Sequence, residues 1–414
     1  MSLKTLLANA ITAIFLIIIF SYYYLLLLKR QKQGKQKKFN GISIIIPAHN
    51  EEKYIADTLK SVLEADFPGK KEIIVVDDGS KDNTYAIAKK FNVKIIRTEH
   101  SGKSKSINRA LKIAKYELVA VVDADSCIQK DALTQALKYL GDEKVAAVCS
   151  TVKVKNRKTF LGMWLHIEQL YNSLLRSLFS KVNVNIVAPG PLSIYKKKCL
   201  QKIGGFETKG YSEDVDVAVR LIKAGYFIRS AEKSISETNM PITAKGFARQ
   251  RTRFARGWIN ILKRHLRLNH TFMQIYTLPL AFFGYLQAIV MGVITLYNLI
   301  SGYLTYFVSR GVWLSWGVLS FFFDWFSILG IIKWFIRIIT QAAPITAFDI
   351  IGLSASLLVY PLYFIAIVKY DKKITLWHII PVFFLFPLWL VIMIFYLINI
   401  GEVFKKKQHN IWEK

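Results

Sequence analysis

Residues 7–28, "LANAITAIFLIIIFSYYYLLLL", form an uncharged apolar run long enough to cross a bilayer once as a helix. In hydrocarbon the backbone amides have only each other to bond, so such a run is committed to a helix. It lacks the small-residue cleavage site of a secretion signal, and the basic run "KRQKQGKQKK" at 29–38 would retain it as an anchor. Only Lys4 precedes it, so the excess of positive charge predicts an external N-terminus and a cytosolic region after residue 38. Further apolar runs lie near 276–300, 313–332, 349–368 and 376–399. With the first they make about five crossings and put the tail 405–414, with Lys405–Lys407, in the cytosol. The charged turn "KYDKK" at 369–373 then faces outward, against the same rule. The mixed segment 333–348 is expected in the interface.

A formal charge of +29 on a chain that is 53% hydrophobic is compatible with nucleic acid, anionic lipid or an anionic substrate as partner. The lysines and arginines, however, concentrate beside the apolar runs, where they set topology. Nucleic acid is therefore set aside. Cys127, Cys149 and Cys199 are isolated and odd in number, which predicts reduced thiols and no disulfide framework. The seven histidines show no ligand spacing, so no zinc site is expected.

Between the apolar runs, residues 39–245 read as a folded domain. "SIIIP", "EIIVVDD", "VKIIRT" and "ELVAVVDAD" are β-branched, apolar and end abruptly in polar residues. Helical patterns separate them at 51–65, 82–91 and 103–115. Strands alternating with helices predict an α/β fold with a mainly parallel sheet. "SEDVDVAVRLIKAGY" predicts one more helix, with Ser212 at its N-cap and Gly225 at its stop.

In open α/β sheets ligands sit beyond the carboxyl ends of the strands. Asp77 and Asp78 close the second strand, and Asp123 and Asp125 the fourth, next to "PAHNEE" at 47–52 after the first. Taken singly these are strand-end turns. Carboxylates gathered at one edge repel each other unless a cation neutralises them, and an Asp-x-Asp holding a divalent ion with substrate phosphates is one solution. Gly102 and Lys103 open a helix where an anion would be favoured. Asp214 lies in the first turn of the 212–225 helix. There the dipole favours its ionised form, which suits either a general base or plain dipole complementation. "ARQRTRFARGW" sets Arg249, Arg251, Arg253 and Arg256 among aromatics beside the membrane, as a headgroup anchor, a clamp on a polyanion, or both. Arg249, Arg253 and Arg256 share one helical face. Phe247, Phe254, Trp258, Ile261 and Leu262 recur at similar spacing, which predicts an interfacial amphipathic helix over 246–275. Asp324, inside an apolar run, either lines a water path or marks a misdrawn span end.

In order and spacing, "PAHNEE", "VVDDGSKDNT", "SGKSKSINRAL", "VVDADS", "APGPLSIYKK", "GGF", "YSEDVDVAVRL" and "RQRTRF" resemble the membrane-embedded family 2 glycosyltransferases, over roughly residues 40–260. That group includes cellulose, chitin, hyaluronan and poly-N-acetylglucosamine synthases. The resemblance implies a cytosolic GT-A domain at 39–245, joined to a transmembrane bundle formed by 1–38 and 276–404. It implies an inverting hexosyltransferase at the plasma membrane that uses a UDP-sugar and Mg²⁺ or Mn²⁺. It assigns Pro47, Glu51, Asp77, Asp78, Lys103, Asp123, Gln250 and Arg253 to the donor, and Asp123 and Asp125 to the metal. Asp214 falls on the catalytic base, and Gly190, Glu213, Phe254 and Trp258 on the acceptor side. The chain departs from the pattern at Phe254, where tryptophan is usual, which keeps an aromatic face but loses the indole N–H. Ser212 stands where threonine is usual. The acceptor is a growing polysaccharide extruded through the spans or, as the alternative, a membrane lipid. A channel that only senses nucleotide sugars is a third reading, disfavoured by the complete set of acid, base and clamp residues. Sugar, linkage and any accessory subunit are left open.

Overall fold

The computed structural model of the chain describes residues 3–29, 31, 33–34, 37–266, 276–340, 345 and 347–404. The stretch 267–275 of the expected interfacial helix and the tail 405–414 lie outside the described residues. Two compact units are present: Leu28–Ile242 with Gly257–Leu278, and Met1–Leu27 with Thr243–Arg256 and Pro279–Val403.

The chain starts with α1 (Leu3–Leu27) and enters the first unit through β1 (Gly41–Ala48), α2 (Ile55–Glu64), β2 (Lys70–Asp78), α3 (Thr84–Ala88) and β3 (Lys94–Thr98). It continues through α4 (Lys103–Ile113), β4 (Leu118–Val121), β5 (Ser126–Ile128), α5 (Ala132–Leu137), β6 (Val145–Val154) and α6 (Phe160–Lys181). Next come β7 (Ser193–Lys196), α7 (Lys197–Lys202), α8 (Glu213–Lys223) and β8 (Phe227–Thr238). The eight strands form one sheet in the order β3-β2-β1-β4-β7-β6-β8-β5. β3, β2, β1 and β4 run parallel; β7 is antiparallel to both β4 and β6, and β8 returns parallel to β6. All eight residues of β1 are buried, as expected for a strand covered on both faces. One face packs Ile44, Ile46, Leu59, Val75 and Ala120. The other packs Ile45, Ile74, Ile107, Val119 and Tyr195. The architecture is α/β of the GT-A kind.

Register fixes where the polar strand ends meet. Ala48 pairs with Asp77, and Ile45 with Val121. Asp77, Asp78, Pro47 and Asp123 therefore reach one edge of the sheet together.

The helical unit shares α9 (Ala244–His265) with the first unit and contains α10 (Leu278–Tyr306), α11 (Trp316–Phe326), α12 (Ile328–Ile339), α13 (Ala347–Asp371), α14 (Leu376–Phe383) and α15 (Leu385–Ile398). Among the described residues, three stretches are long and apolar enough to cross a membrane: Leu6–Leu27, Leu278–Arg310 and Ile350–Asp371. The count rises to four if α11 and α12, bent by 92°, are one broken span. The apolar run 376–399 is divided between α14 and α15, with Phe384 outside helical geometry at φ −102°, ψ 38°. Within this unit the Tyr23 hydroxyl donates to Leu358 O (2.7 Å) and the Tyr285 hydroxyl to Tyr396 O (3.1 Å). These bonds join α1 to α13 and α10 to α15. Such apolar helices make the chain a membrane protein.

Candidate active site

The site is built from three loops that meet at the sheet edge. Asp78, wholly buried at the end of β2, accepts hydrogen bonds from Ser101 N (2.9 Å), Ser101 Oγ (3.0 Å) and Gly102 N (2.8 Å). Burial raises its pKa, but the N–H groups of Gly102 and Ser101 outweigh it and hold the carboxyl below its ordinary range. Asp78 thus anchors the turn before α4. Gly102 takes φ +95° there, a conformation side chains rarely adopt. The next residue, Lys103, is delivered into the site, where its ammonium lies 2.7 Å from Asp123 Oδ1 and 2.7 Å from Glu213 Oε1. Desolvation pulls the ammonium pKa down, yet those two carboxylates dominate and hold it charged well above its ordinary value.

Asp123 N donates to Gly190 O at 3.1 Å. A Cβ on residue 190 would overlap the Asp123 carboxylate, so only glycine lets these segments touch. Glu213 and Asp214 arrive on the first turn of α8. Ser212 occupies the N-cap position, but it accepts the first helical bond through its carbonyl (Asp216 N, 3.0 Å) and makes no side-chain cap bond. The Asp214 carboxylate accepts from Val215 N at 2.9 Å. Its pKa is pushed up to about 6, first by burial and then by the neighbouring Glu213 carboxylate, with Asp123 adding to them. Lys103 and the Val215 N–H oppose the rise. The helix dipole alone would favour the ionised form; desolvation and like charges overcome it here. A carboxylate of this kind is ionised at neutral pH yet basic enough to take a proton. Beneath it, burial and then the Asp214 charge push the Tyr195 phenol well up.

The structure therefore brings Lys103, Asp123, Gly190, Glu213 and Asp214 into one cluster. Asp77 is also wholly buried; it accepts from Ser80 N (3.1 Å) and faces Arg97 Nε at 3.3 Å. Glu51 is buried, and its carbonyl starts α2 by accepting from Tyr54 N and Ile55 N. Pro47 lies opposite Val76 at the end of β1. Asp125 accepts from Ser126 Oγ (3.1 Å) and from Thr238 Oγ1 (3.4 Å) at the end of β8.

The donor set suits a hard divalent cation, because Asp123 and Asp125 offer oxygens only. Asp123 Oδ1 is buried and lies 2.7 Å from Lys103 Nζ, and an ionised carboxylate keeps further lone pairs that a cation could share.

Gln250, Arg253 and Phe254 lie on the part of α9 within the helical unit. There the Arg251 guanidinium stands 4.8 Å from the centre of the Phe247 ring and 5.8 Å from that of Phe254, with Arg253 5.7 Å from Phe254. Trp258, on the other part, packs against the apolar cluster of Val184, Val215, Val219 and Ile261.

Sequence reasoning missed His49 and His100. Their rings lie 4.2 Å apart over the end of β2, and both Nδ1 atoms approach Asp78 O, at 2.8 and 3.2 Å. His49 stands inside the quoted "PAHNEE", but its partner is remote in sequence and no spacing links them. It also passed over Asp216 of "SEDVDVAVRL". This residue is buried and bonded to Arg220 Nε (2.6 Å) and His265 Nε2 (2.8 Å).

The family model described as glycosyl transferase family 2 matches residues 43–204, the segment carrying the sheet edge and Gly190. A probable glycosyltransferase of Bacillus subtilis, YdaM, is 31% identical over 284 residues, 63% of this chain and 68% of the relative. The chain belongs to the family 2 glycosyltransferases. The glycosyltransferase is also 30% identical over 240 residues to a poly-beta-1,6-N-acetyl-D-glucosamine synthase of Staphylococcus epidermidis. That match takes in 56% of this chain and 58% of the relative, so the chain spans less than two thirds of that synthase's length. Among solved structures, a mannosyltransferase of Pyrobaculum calidifontis in complex with GDP-Man and Mn²⁺ is similar to the whole chain, with a TM-score of 0.60 and 21% identity. At that identity the likeness speaks for the fold.

Proposed function

We propose that the enzyme transfers a sugar, with inversion, from a UDP-sugar to a growing polysaccharide, and that N-acetylglucosamine is the first sugar to test. The carrying observation is Asp214: ionised at neutral pH, raised to about 6, and set against Lys103, Glu213 and Asp123. In this reading Asp214 takes the proton of the acceptor hydroxyl as that oxygen attacks the anomeric carbon. The bond from the anomeric carbon to the diphosphate oxygen breaks, and the pair of electrons leaves with the nucleoside diphosphate. Lys103 neutralises the repulsion between the carboxylates and adds positive charge on the leaving-group side. Asp123 and Asp125 would hold Mg²⁺ or Mn²⁺, which supplies charge neutralisation at the diphosphate. The mannosyltransferase of similar fold is in complex with GDP-Man and Mn²⁺, a nucleotide sugar together with a divalent ion.

Pro47, Glu51, Asp77 and Asp78 go to the donor, with Asp77 or Asp78 on its nucleobase and ribose side, and Gly190 and Glu213 to the acceptor. On the sequence pattern, Gln250 and Arg253 go to the donor diphosphate, and Phe254 and Trp258 to the acceptor. The apolar helices then carry the product outward from a cytoplasmic catalytic domain at the plasma membrane. The polymer reading rests on the relatives named for poly-beta-1,6-N-acetyl-D-glucosamine synthesis.

The test incubates membranes carrying the protein with labelled UDP-sugars and Mg²⁺ or Mn²⁺, then sizes the product. High-molecular-weight label that vanishes in Asp214→Asn supports the proposal. Label confined to the lipid extract replaces the polymer with a lipid acceptor. Transport of a sugar nucleotide without turnover, intact in Asp214→Asn, overturns the enzyme reading.

A further inference from the structure

We propose that the second half of α9 is the positioning element for Asp214, and that Gly257 is its point of contact; this rests on the reading of Asp214 as the base. Asp214 does not choose its own place. It follows an irregular segment, Glu207–Ser212, in which Gly210 takes φ +121°, and that segment needs an outside support. One face of α9 supplies it. Gly257 is buried against Ser212, two residues before Asp214, and a Cβ on residue 257 would overlap Ser212 Oγ. One turn on, the Asn260 carboxamide lies against Gly210, its atoms 3.2–3.5 Å from where a Cβ would stand. Two turns on, Arg264 donates to Lys209 O (2.9 Å) and pairs with Glu207 (3.1 Å). Positions 257, 260 and 264 are three and four residues apart, the spacing that aligns side chains along one helical face.

A second set of bonds fixes the other side of α8. Asp216 is buried and shared: Arg220 Nε lies 2.6 Å from one oxygen, and His265 Nε2 and Arg264 Nη1 lie 2.8 and 3.5 Å from the other. Arg220 also donates to Ile203 O and Gly205 O, both at 2.7 Å. Burial penalises the Asp216 carboxylate, but His265 and Arg220 outweigh the penalty and hold its pKa below the ordinary range. The first turn of α8 is thus gripped both ahead of Asp214 and after it. None of Gly257, Asn260, Arg264, His265 and Asp216 touches the reacting atoms in this reading. They act on catalysis through the position of Asp214, and misplacing a catalytic group by an ångström can cost about a hundredfold in rate.

The test is a second-site rescue read as kcat and donor KM, using labelled UDP-N-acetylglucosamine or whichever UDP-sugar proves active. Gly257→Ala should lower kcat by about ten- to a hundredfold with donor KM changed less than about twofold. Ser212→Ala in the same chain removes the overlapping hydroxyl and should return kcat to within about threefold of Ser212→Ala alone. Asn260→Ala creates no clash and should show the same kcat-only loss, so the proposal is testable even if Gly257→Ala does not fold. Wild-type kcat in both Gly257→Ala and Asn260→Ala, a loss that Ser212→Ala fails to rescue, or a parallel rise in donor KM each overturns it. Asp214→Asn separates the two readings. If that variant stays active, the base assignment fails whatever α9 does. If it is dead while Gly257→Ala and Asn260→Ala turn over normally, only the positioning role fails.

Discussion

Replacing Asp214 by asparagine should make the protein more stable while it abolishes turnover. The carboxyl titrates at about 6 in the fold against an ordinary 3.8, because burial and the Glu213 charge disfavour the ionised form. At ~1.4 kcal/mol per pH unit the ionised group costs the native state of the order of 3 kcal/mol at neutral pH. Asparagine keeps an oxygen for Val215 N and sheds the charge, so part of that amount, of the order of 1–3 kcal/mol, is recovered. A raised carboxyl pKa means that the folded state holds its proton longer than the unfolded one. Wild-type stability from this group therefore declines as pH climbs from about 4 to about 6 and is level above that. The advantage of Asp214→Asn should be full at pH 7.5 and shrink towards pH 4. In detergent, thermal unfolding of the catalytic unit should rise by a few degrees at pH 7.5, at roughly 2–4 °C per kcal/mol for a domain of this size. Turnover should fall by about 10²- to 10⁴-fold, the usual contribution of a general base. An asparagine variant that melts below wild type at pH 7.5, or whose advantage grows as pH falls, would refute the argument that crowding sets this carboxylate.

Other perturbations follow from the same cluster. Lys103→Met removes the ammonium that faces Asp123 and Glu213 and opposes the rise at Asp214, so the acid limb of the pH–rate profile should move to higher pH as turnover drops more than about tenfold. Gly190→Ala drives a methyl into the Asp123 carboxylate and should raise the Mn²⁺ concentration needed for half-maximal activity by about tenfold or more; an unchanged metal titration would argue against a role for Asp123 in holding the ion. Asp78→Asn strips the charge that Ser101 N and Gly102 N solvate. It should cost about 2–4 kcal/mol in denaturant unfolding and speed amide exchange at 101–103, with the wild-type advantage lost as pH falls below the ordinary carboxylate range.

The parallel half of the sheet was legible because each strand there is a β-branched run that stops at a polar cluster. The same rule, applied at 47–52, 77–80 and 123–125, found the functional edge. The half formed by β5 to β8 was not legible. β7 is four residues long, and β6 and β8 carry serines and lysines whose burial depends on which neighbour they meet. The 22-residue α6 carries His166 and Arg176 among its buried residues, so its pattern does not divide into an apolar and a polar side. At the site, residue identities could be read in sequence but their energetics could not. The helix dipole favours an ionised Asp214, and only its burial in the fold, with Glu213 and Asp123 gathered beside it, shows why its proton is held more tightly. The α9 face at 257, 260 and 264 faced the same limit. Gly257 and Asn260 look unremarkable in the chain until the 207–212 segment is laid against them.

The 92° knee between α11 and α12 has a consequence for hydration. Ser327 is extended at φ −130°, ψ 166°, so the helical hydrogen-bond ladder stops there within an otherwise apolar run. The break is only partly mended, by Leu329 N donating to Ser327 Oγ and Gly330 N to Ser327 O, both at 3.3 Å. Gly330 lies so close to the Asp324 carbonyl that any side chain would open the angle, and Lys333 reaches back to the Asp324 carboxylate. An interrupted helical ladder and an ion pair are not stable against lipid tails. The knee therefore has to sit at the headgroup level or against a wet seam, and wherever this helical unit meets the bilayer, the hydrocarbon is not continuous around it.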